Sequence, residues 1–216
     1  MLIFIRHGES ESNHYIHTKS DNLEHNINKH GNPNLTPTGV AQGDETGKYL
    51  SKMLGNRKVT VFTSRFKRTM QTAETFLHMY EDNIEEVQNL SFLNEYTKPS
   101  KQLSQSDIND GIVCHNSWKE FTKNIMEFLD YIKKYQNKTL VIFGHSLYIS
   151  VLTSYLGSKS KCMIDGSIDN IIFELPNCSI TTMELKEDNW HIYHVGSIAH
   201  ISHDLVTGHH VPFGTK

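Results

Sequence analysis

Cysteine is scarce in this chain and forms no pattern: Cys114, Cys162 and Cys178 are far apart and in no CxxC pair. An odd, dispersed set excludes a disulfide framework and a thiolate metal cage, and fits reduced bystander thiols. An excess of one charge is missing too, with 21 Lys and Arg against 24 Asp and Glu and a formal net charge of -3. Without a basic face or tail to track a phosphodiester backbone, nucleic acid is not an expected partner. Long apolar runs are absent as well. Only five apolar residues precede Arg6, too few for a membrane span or the apolar stretch of a signal peptide. A cytoplasmic protein with no membrane contact is the expectation. Repeats, low-complexity tracts and linkers are lacking, so 216 residues at 37% hydrophobic read as one domain, 1–216, with one sizeable core.

What the sequence does contain is an alternation of strand and helix patterns. Leu2 to Ile5 is an apolar strand that runs into Arg6-His7-Gly8-Glu9-Ser10, with a polar helix or turn starting at Gly8 to Ser12. From His14 to Asn34 the composition is polar and aperiodic, which predicts a long surface loop. Thr36 as a cap and Pro37 in the first turn predict a helix through Leu50 to Leu54. Val59 to Thr63 is a β-branched strand, and Ser64 is placed to cap a helix whose stripe is Phe66, Met70, Ala73, Phe76, Leu77 and Tyr80. A weak strand at Val87 to Leu90, irregular chain over 94–116 and a helix from Trp118 to about Tyr135 follow. Thr139 to Phe143 repeats the opening pattern and delivers Gly144-His145-Ser146 ahead of a helix to about Leu156. Three more strands are expected at Ile171 to Leu175, Ile180 to Leu185 and His191 to Val195, the last two as a hairpin. The fold class implied is α/β: three layers, a mostly parallel sheet with helices on both faces, and an antiparallel edge strand.

Ligands of such sheets bind at the carboxyl ends of the strands. There the sequence puts Arg6 and His7, Ser64 with nearby Arg68, and His145. Two guanidinium groups and two imidazoles without a carboxylate cluster suit a phosphoryl group, whose oxygens match the planar arginine fork. His7 is the candidate nucleophile, attacking phosphorus through a ring nitrogen, and His145 a donor to the transition state. A leaving alkoxide needs a proton, for which Glu95 is the choice; Glu9, in the first turn after His7, more often stabilises a helix start. The plainer readings are a satisfied core histidine for His145, surface ion pairs for the arginines, an ordinary loop carboxylate for Glu95 and a turn residue for Asn13. Histidine is abundant at 14 residues, and spacings such as His14 to His17 and His200 to His203 resemble metal-ligand pairs. No Cys or acidic pattern fixes a geometry around them, so no metal and no cofactor are expected. The segment from Asp204 to His210 is too polar for core and is expected to fold over a rim of the pocket.

Several separated motifs together resemble the histidine phosphatase superfamily, which includes the cofactor-dependent phosphoglycerate mutases. They are Arg6-His7-Gly8-Glu9-Ser10 with Asn13, Leu35-Thr36 with Gly39 and Gln42, Ser64 through Ala73, Gly144-His145-Ser146, and Asn177-Cys178-Ser179-Ile180. The resemblance implies that His7 is the nucleophile, that Arg6, Arg68 and His145 form the phosphate pocket, that Glu95 is the acid and base, and that Asn13 adds a hydrogen bond to the phosphate. Tyr96 follows Glu95 where the mutases have arginine, and 14–34 lacks their Gly-Trp segment. A metal-independent phosphomonoesterase using a phosphohistidine, acting on a small phosphorylated metabolite or a phosphoprotein, is therefore favoured. The alternatives are a mutase-type phosphotransferase and a non-catalytic phosphate-binding module. Substrate identity and oligomeric state are not legible.

Overall fold

The computed structural model describes residues 1–18, 31–96, 105–109, 117–158 and 173–208. Its strands are β1 (Leu2–Arg6), β2 (Val59–Thr63), β3 (Ile84–Asn89), β4 (Thr139–Gly144), β5 (Ile180–Lys186) and β6 (Asn189–Ser197). Its α-helices are α1 (Glu11–Thr18), α2 (Pro37–Leu54), α3 (Lys67–Met79), α4 (Gln105–Asn109), α5 (Trp118–Tyr131) and α6 (Ser146–Ser158). The strands form one sheet in the order β3-β2-β4-β1-β5-β6. β3, β2, β4 and β1 are mutually parallel, and β5 and β6 add an antiparallel pair at the β1 side. The α/β expectation and the hairpin edge therefore hold: β5 is the antiparallel strand, and its hairpin partner β6, which runs in the direction of the parallel set, forms the edge itself.

Side chains alternate across a strand, and here both faces of the central strands are covered. Ile3 and Ile5 of β1 join Val141 and Phe143 of β4 beneath Leu50 and Leu54 of α2 and Ala73 and Phe76 of α3. Leu2 and Phe4 join Leu140 and Ile142 on the opposite face, beneath Phe121, Ile125 and Phe128 of α5 and Tyr148 and Leu152 of α6. Ile3, Phe4, Ile5, Val141, Ile142 and Phe143 are fully buried. Each contributes about 1.5–3 kcal/mol relative to exposure, which is why these short runs are strands at all.

Local chemistry sets the helix starts that matter for the site. Thr36 caps α2, its hydroxyl accepting from Gly39 N at 3.1 Å, with Pro37 in the first turn as expected. That start crosses the loop after β1 at backbone contact: a Cβ on Gly39 would lie 2.0 Å from the Glu9 carbonyl oxygen, and one on Gly8 2.5 Å from the Gly39 oxygen. Only glycine fits either position.

Several sequence expectations require correction. Ser64 does not cap α3: the N-cap position is Phe66, without a side-chain cap bond. The polar stretch beginning at His14 is helical to Thr18 as the end of α1, and Leu35 pairs with Ser10 in an isolated bridge. Residues 19–30 of the expected loop lie outside the described residues. β3 begins at Ile84, earlier than expected, because a half-buried edge strand alternating Ile84, Glu86 and Gln88 with exposed residues carries little apolar signal. The expected helix to Tyr135 tightens into a 3₁₀ turn at Ile132–Tyr135. Of the expected strand at Ile171 to Leu175, 173–175 carry no regular secondary structure and lie outside the sheet, and the first two residues fall outside the described set.

Candidate active site

Sheet order decides which strand ends meet. β4 lies between β1 and β2, with Arg6 opposite Gly144 and Thr63 opposite Phe143. His7 N donates to Gly144 O at 3.0 Å and Ser64 N to Phe143 O at 3.1 Å, so the three chains leave the sheet side by side. His7, Ser64 and His145 thus share one crevice, the place where parallel sheets present catalytic groups. The two imidazoles meet edge to face with centroids 5.3 Å apart.

Hydrogen-bond partners fix the proton on each ring, because a guanidinium can only donate and a carbonyl can only accept. Arg68 Nε donates to His7 Nε2 at 3.1 Å, so the ring proton is on Nδ1, which donates to Gly8 O at 2.7 Å. Arg68 Nη2 donates to His145 Nδ1 at 3.3 Å, so the other ring carries its proton on Nε2 and donates to Ser64 Oγ at 2.8 Å. Ser64 Oγ passes its own proton to Thr69 Oγ1 at 2.9 Å, and Thr69 donates to Phe66 O at 2.7 Å. The chain from Arg68 to Phe66 has one consistent direction. Both rings are neutral: burial first, and then the Arg68 guanidinium, hold His7 and His145 well below the usual imidazole range. His7 Nε2 therefore carries a lone pair, the form a nucleophile needs.

Arg68 stands in the first turn of α3, its guanidinium carbon 4.2 Å above the Phe66 ring. Arg6 is anchored from behind, Nη1 donating to Leu175 O and, at 2.9 Å, to Gly208 O. Burial lowers both guanidinium groups to about 10, opposed by the negative charge of Glu95, so both stay cationic at neutral pH. Arg6, His7, Arg68 and His145 are all buried, at 7%, 5%, 8% and 0% exposure. Two positive charges with neutral imidazoles between them make a cluster suited to an anion with several oxygens.

Glu95 follows the 3₁₀ turn Ser91–Leu93 beyond β3. Its Oε1 accepts from Tyr96 N at 2.9 Å and its Oε2 from Leu147 N at 3.3 Å, which ties the carboxylate to the N-terminus of the helix that follows His145. The residue as a whole is partly exposed, but its carboxyl is enclosed by protein. Desolvation raises its pKa above the usual range against the pull of Arg68 and Arg6. Glu9 is engaged elsewhere: Oε1 accepts from Thr36 Oγ1 at 2.7 Å and lies 3.5 Å from His14 Nδ1. Asn13 sits beside the His7 loop, its Oδ1 accepting from Ser10 N and Oγ and from Asn177 Nδ2 at 3.3 Å.

Sequence reasoning missed three supports of this site. Ser64 is the acceptor for His145 rather than a helix cap. Thr72 Oγ1 accepts from Gly8 N at 2.9 Å, from the buried face of α3 that also carries Arg68 and Phe76, where a lone threonine gives no signal of its own. Asn177 Nδ2 donates to His7 O at 3.0 Å from the turn before β5, where Cys178 takes a positive φ of 56°. Among the described residues, no three or more His, Cys, Asp or Glu side chains are grouped to hold a metal ion, and no helix is long and apolar enough to cross a membrane. The C-terminal segment does reach the site rim, through Gly208; His209 and His210 lie outside the described residues, as do His17's side chain, His25 and His30.

Comparison with known proteins places the same chain among relatives. The family model described as "Histidine phosphatase superfamily (branch 1)" matches residues 2–197. The chain is 22% identical over 202 residues to "Uncharacterized phosphatase PhoE" of Bacillus subtilis (strain 168), covering 93% of this chain and 96% of that protein. It superposes with a TM-score of 0.60 and 20% identity on a mutant phosphoserine phosphatase from Entamoeba histolytica solved with phosphoserine, over 93% of this chain and 98% of that one. It also superposes with a TM-score of 0.63 and 15% identity on a phosphoglycerate mutase from Bacillus anthracis str. Sterne, over 92% and 93% of the two chains.

Proposed function

Because the chain belongs to the histidine phosphatase superfamily, we propose that it is a phosphomonoesterase that hydrolyses small phosphorylated molecules through a phosphohistidine on His7. The observation that carries this reading is the state of the His7 ring. Its Nδ1 proton is held by the Gly8 carbonyl, and its Nε2 lone pair points at the Arg68 guanidinium.

The chemistry follows from that arrangement. The phosphoryl group binds with its oxygens on Arg6, Arg68 and the amide of Asn13, and its negative charge exchanges for the ring contacts of Arg68. His7 Nε2 attacks phosphorus as the bond to the leaving oxygen breaks, and the new N–P bond leaves a cationic ring steadied through Nδ1–H and Gly8 O. Arg6, Arg68 and His145 neutralise charge on the equatorial oxygens. Glu95, kept protonated to higher pH than an ordinary carboxyl, gives its proton to the leaving alkoxide. Water then takes the leaving group's place, loses a proton to Glu95 and attacks phosphorus, returning phosphate and neutral His7. Every step uses side chains of this chain.

Hydrolysis of a generic aryl phosphate in EDTA, by the wild type and by His7→Ala, tests the reading. Turnover that vanishes in a folded His7→Ala protein supports it. Chelator inhibition reversed by one metal ion refutes the metal-free mechanism. Turnover only with a bisphosphate primer would instead make the protein a mutase.

A further inference from the structure

Residues 200–208 run along one face of α2 and end on Arg6. The contacts come from positions 42, 45, 46 and 49, spaced as one stripe of a helix. His200 Nε2 lies 3.1 Å from Thr46 Oγ1, and its ring stacks on Tyr49. Glu45 accepts from Ser202 N at 2.7 Å and from Ser202 Oγ at 2.5 Å. Gln42, fully buried, donates both Nε2 protons to this segment, to Leu205 O at 2.6 Å and to Thr207 Oγ1 at 2.7 Å.

The other end of the Gln42 amide faces the His7 loop, where its Oε1 accepts from Glu9 N at 2.7 Å. Thr207 Oγ1 passes its proton to Asn177 Oδ1 at 3.3 Å, and Asn177 N donates to Thr207 O at 2.9 Å. Asn177 Nδ2 closes the ring on His7 O, and the next residue of the segment, Gly208, accepts from Arg6 Nη1. A Cβ on Gly208 would lie 2.1 Å from Asn177 Oδ1 and 2.8 Å from Arg6 Nη1, so the segment touches both without slack.

We propose that residues 200–208 are a strap that aims the Arg6 guanidinium, and that Gln42, which clamps the strap to the His7 loop, is a positioning residue for phosphate recognition. Gln42 touches no reacting atom. It acts through Thr207 and Gly208 on Arg6 and through Glu9 N on the loop bearing His7. A buried amide is suited to this because it satisfies a donor on one element and two acceptors on another at once, which no apolar residue of its size can do. The inference rests on the reading of Arg6 as a phosphate ligand.

Calorimetric titration of the full chain with inorganic phosphate, together with aryl phosphate kinetics, tests it in the wild type, Gln42→Met, Gly208→Ala and the double variant. Each single change is expected to weaken phosphate binding roughly tenfold, the effect of misplacing one buried charge-assisted hydrogen bond. The same factor is expected in KM, with a smaller change in kcat. The double variant should be within about twofold of the weaker single one, since both cut one path. Losses that multiply, or phosphate binding by Gln42→Met equal to wild type, overturn the proposal. If Gln42→Met fails to fold, Gly208→Ala and the milder Glu45→Ala decide it, because unchanged phosphate binding in both overturns it equally. A wild type that binds no phosphate overturns the phosphatase reading itself, and this inference falls with it.

Discussion

Replacing Ser64 by alanine removes one oxygen and breaks the proton chain at its middle. His145 and Ser64 are both fully buried, so the Nε2 proton that Ser64 Oγ accepts at 2.8 Å has no water to turn to. Switching the ring to its other tautomer offers no escape, because Nδ1 would then carry a proton against the Arg68 Nη2 donor 3.3 Å away. A buried donor left unsatisfied costs about 1–3 kcal/mol. For a chain of this size each kcal/mol lowers Tm by about 2–4 °C, so the melting point should fall by roughly 2–12 °C. Thr69 keeps its own bond to Phe66 O, so α3 should stay anchored. If the same energy is lost from the transition state through a misaimed His145, kcat/KM falls roughly 5- to 150-fold. The assay is aryl phosphate hydrolysis with a melting curve, repeated in a His145→Ala background. Ser64 is argued to act through His145, so its removal there should change kcat/KM by less than about twofold. A Ser64→Ala protein with wild-type kcat/KM, or losses that simply multiply with those of His145→Ala, would refute the reasoning.

Other consequences concern pH, the acid and the loop crossing. Burial holds His7 and His145 below the ordinary imidazole value, so the unfolded chain protonates first as pH falls through about 6.5. Stability is then complete above that pH and lost below it, at about 1.4 kcal/mol per pH unit for each histidine; Glu95, shifted upward, acts in the opposite sense. Urea titrations at pH 7.5, 6.5 and 5.5 should show the loss, with a shallower slope in His145→Ala, and a flat profile would contradict it. Glu95→Gln should slow alkyl phosphate hydrolysis by about 10²–10³-fold and aryl phosphate hydrolysis far less, since a good leaving group barely needs an acid; equal losses on both would remove Glu95 from that role. Gly39→Ala puts a methyl into the Glu9 carbonyl and should destabilise by about 1–3 kcal/mol in thermal or urea melts; a neutral substitution would mean that the crossing is looser than described.

The parts of the fold legible in the sequence are those where burial is complete on both faces. β1 and β4 read as apolar runs and β2 as a β-branched run because each is covered by helices above and below, and Thr36-Pro37 marks the start of α2 by backbone chemistry alone. The residues singled out at the ends of those strands, with Arg68 in the first turn of α3, converge for the same reason. What the sequence hid is long-range and polar. Ser64 and His145 are 81 residues apart, and Thr72 meets Gly8 across 64, with no periodicity to announce either pair. Ser64 looked like a cap because serine before a helix usually is one, but a buried imidazole proton competes for its hydroxyl and wins. β3 was misplaced because one face of an edge strand is polar, whereas the start of α1 is legible and only its extension from His14 to Thr18 reads as loop.

The most direct test of the account is to trap the intermediate. Rapid quenching of the protein with a ³²P-labelled phosphomonoester in EDTA should give label on the wild-type chain that is stable in base, lost in acid and mapped to the peptide bearing His7. No label should appear on His7→Ala. Turnover by the wild type with no covalent label formed fast enough to account for it, or label that survives acid and persists in His7→Ala, would contradict nucleophilic attack by His7.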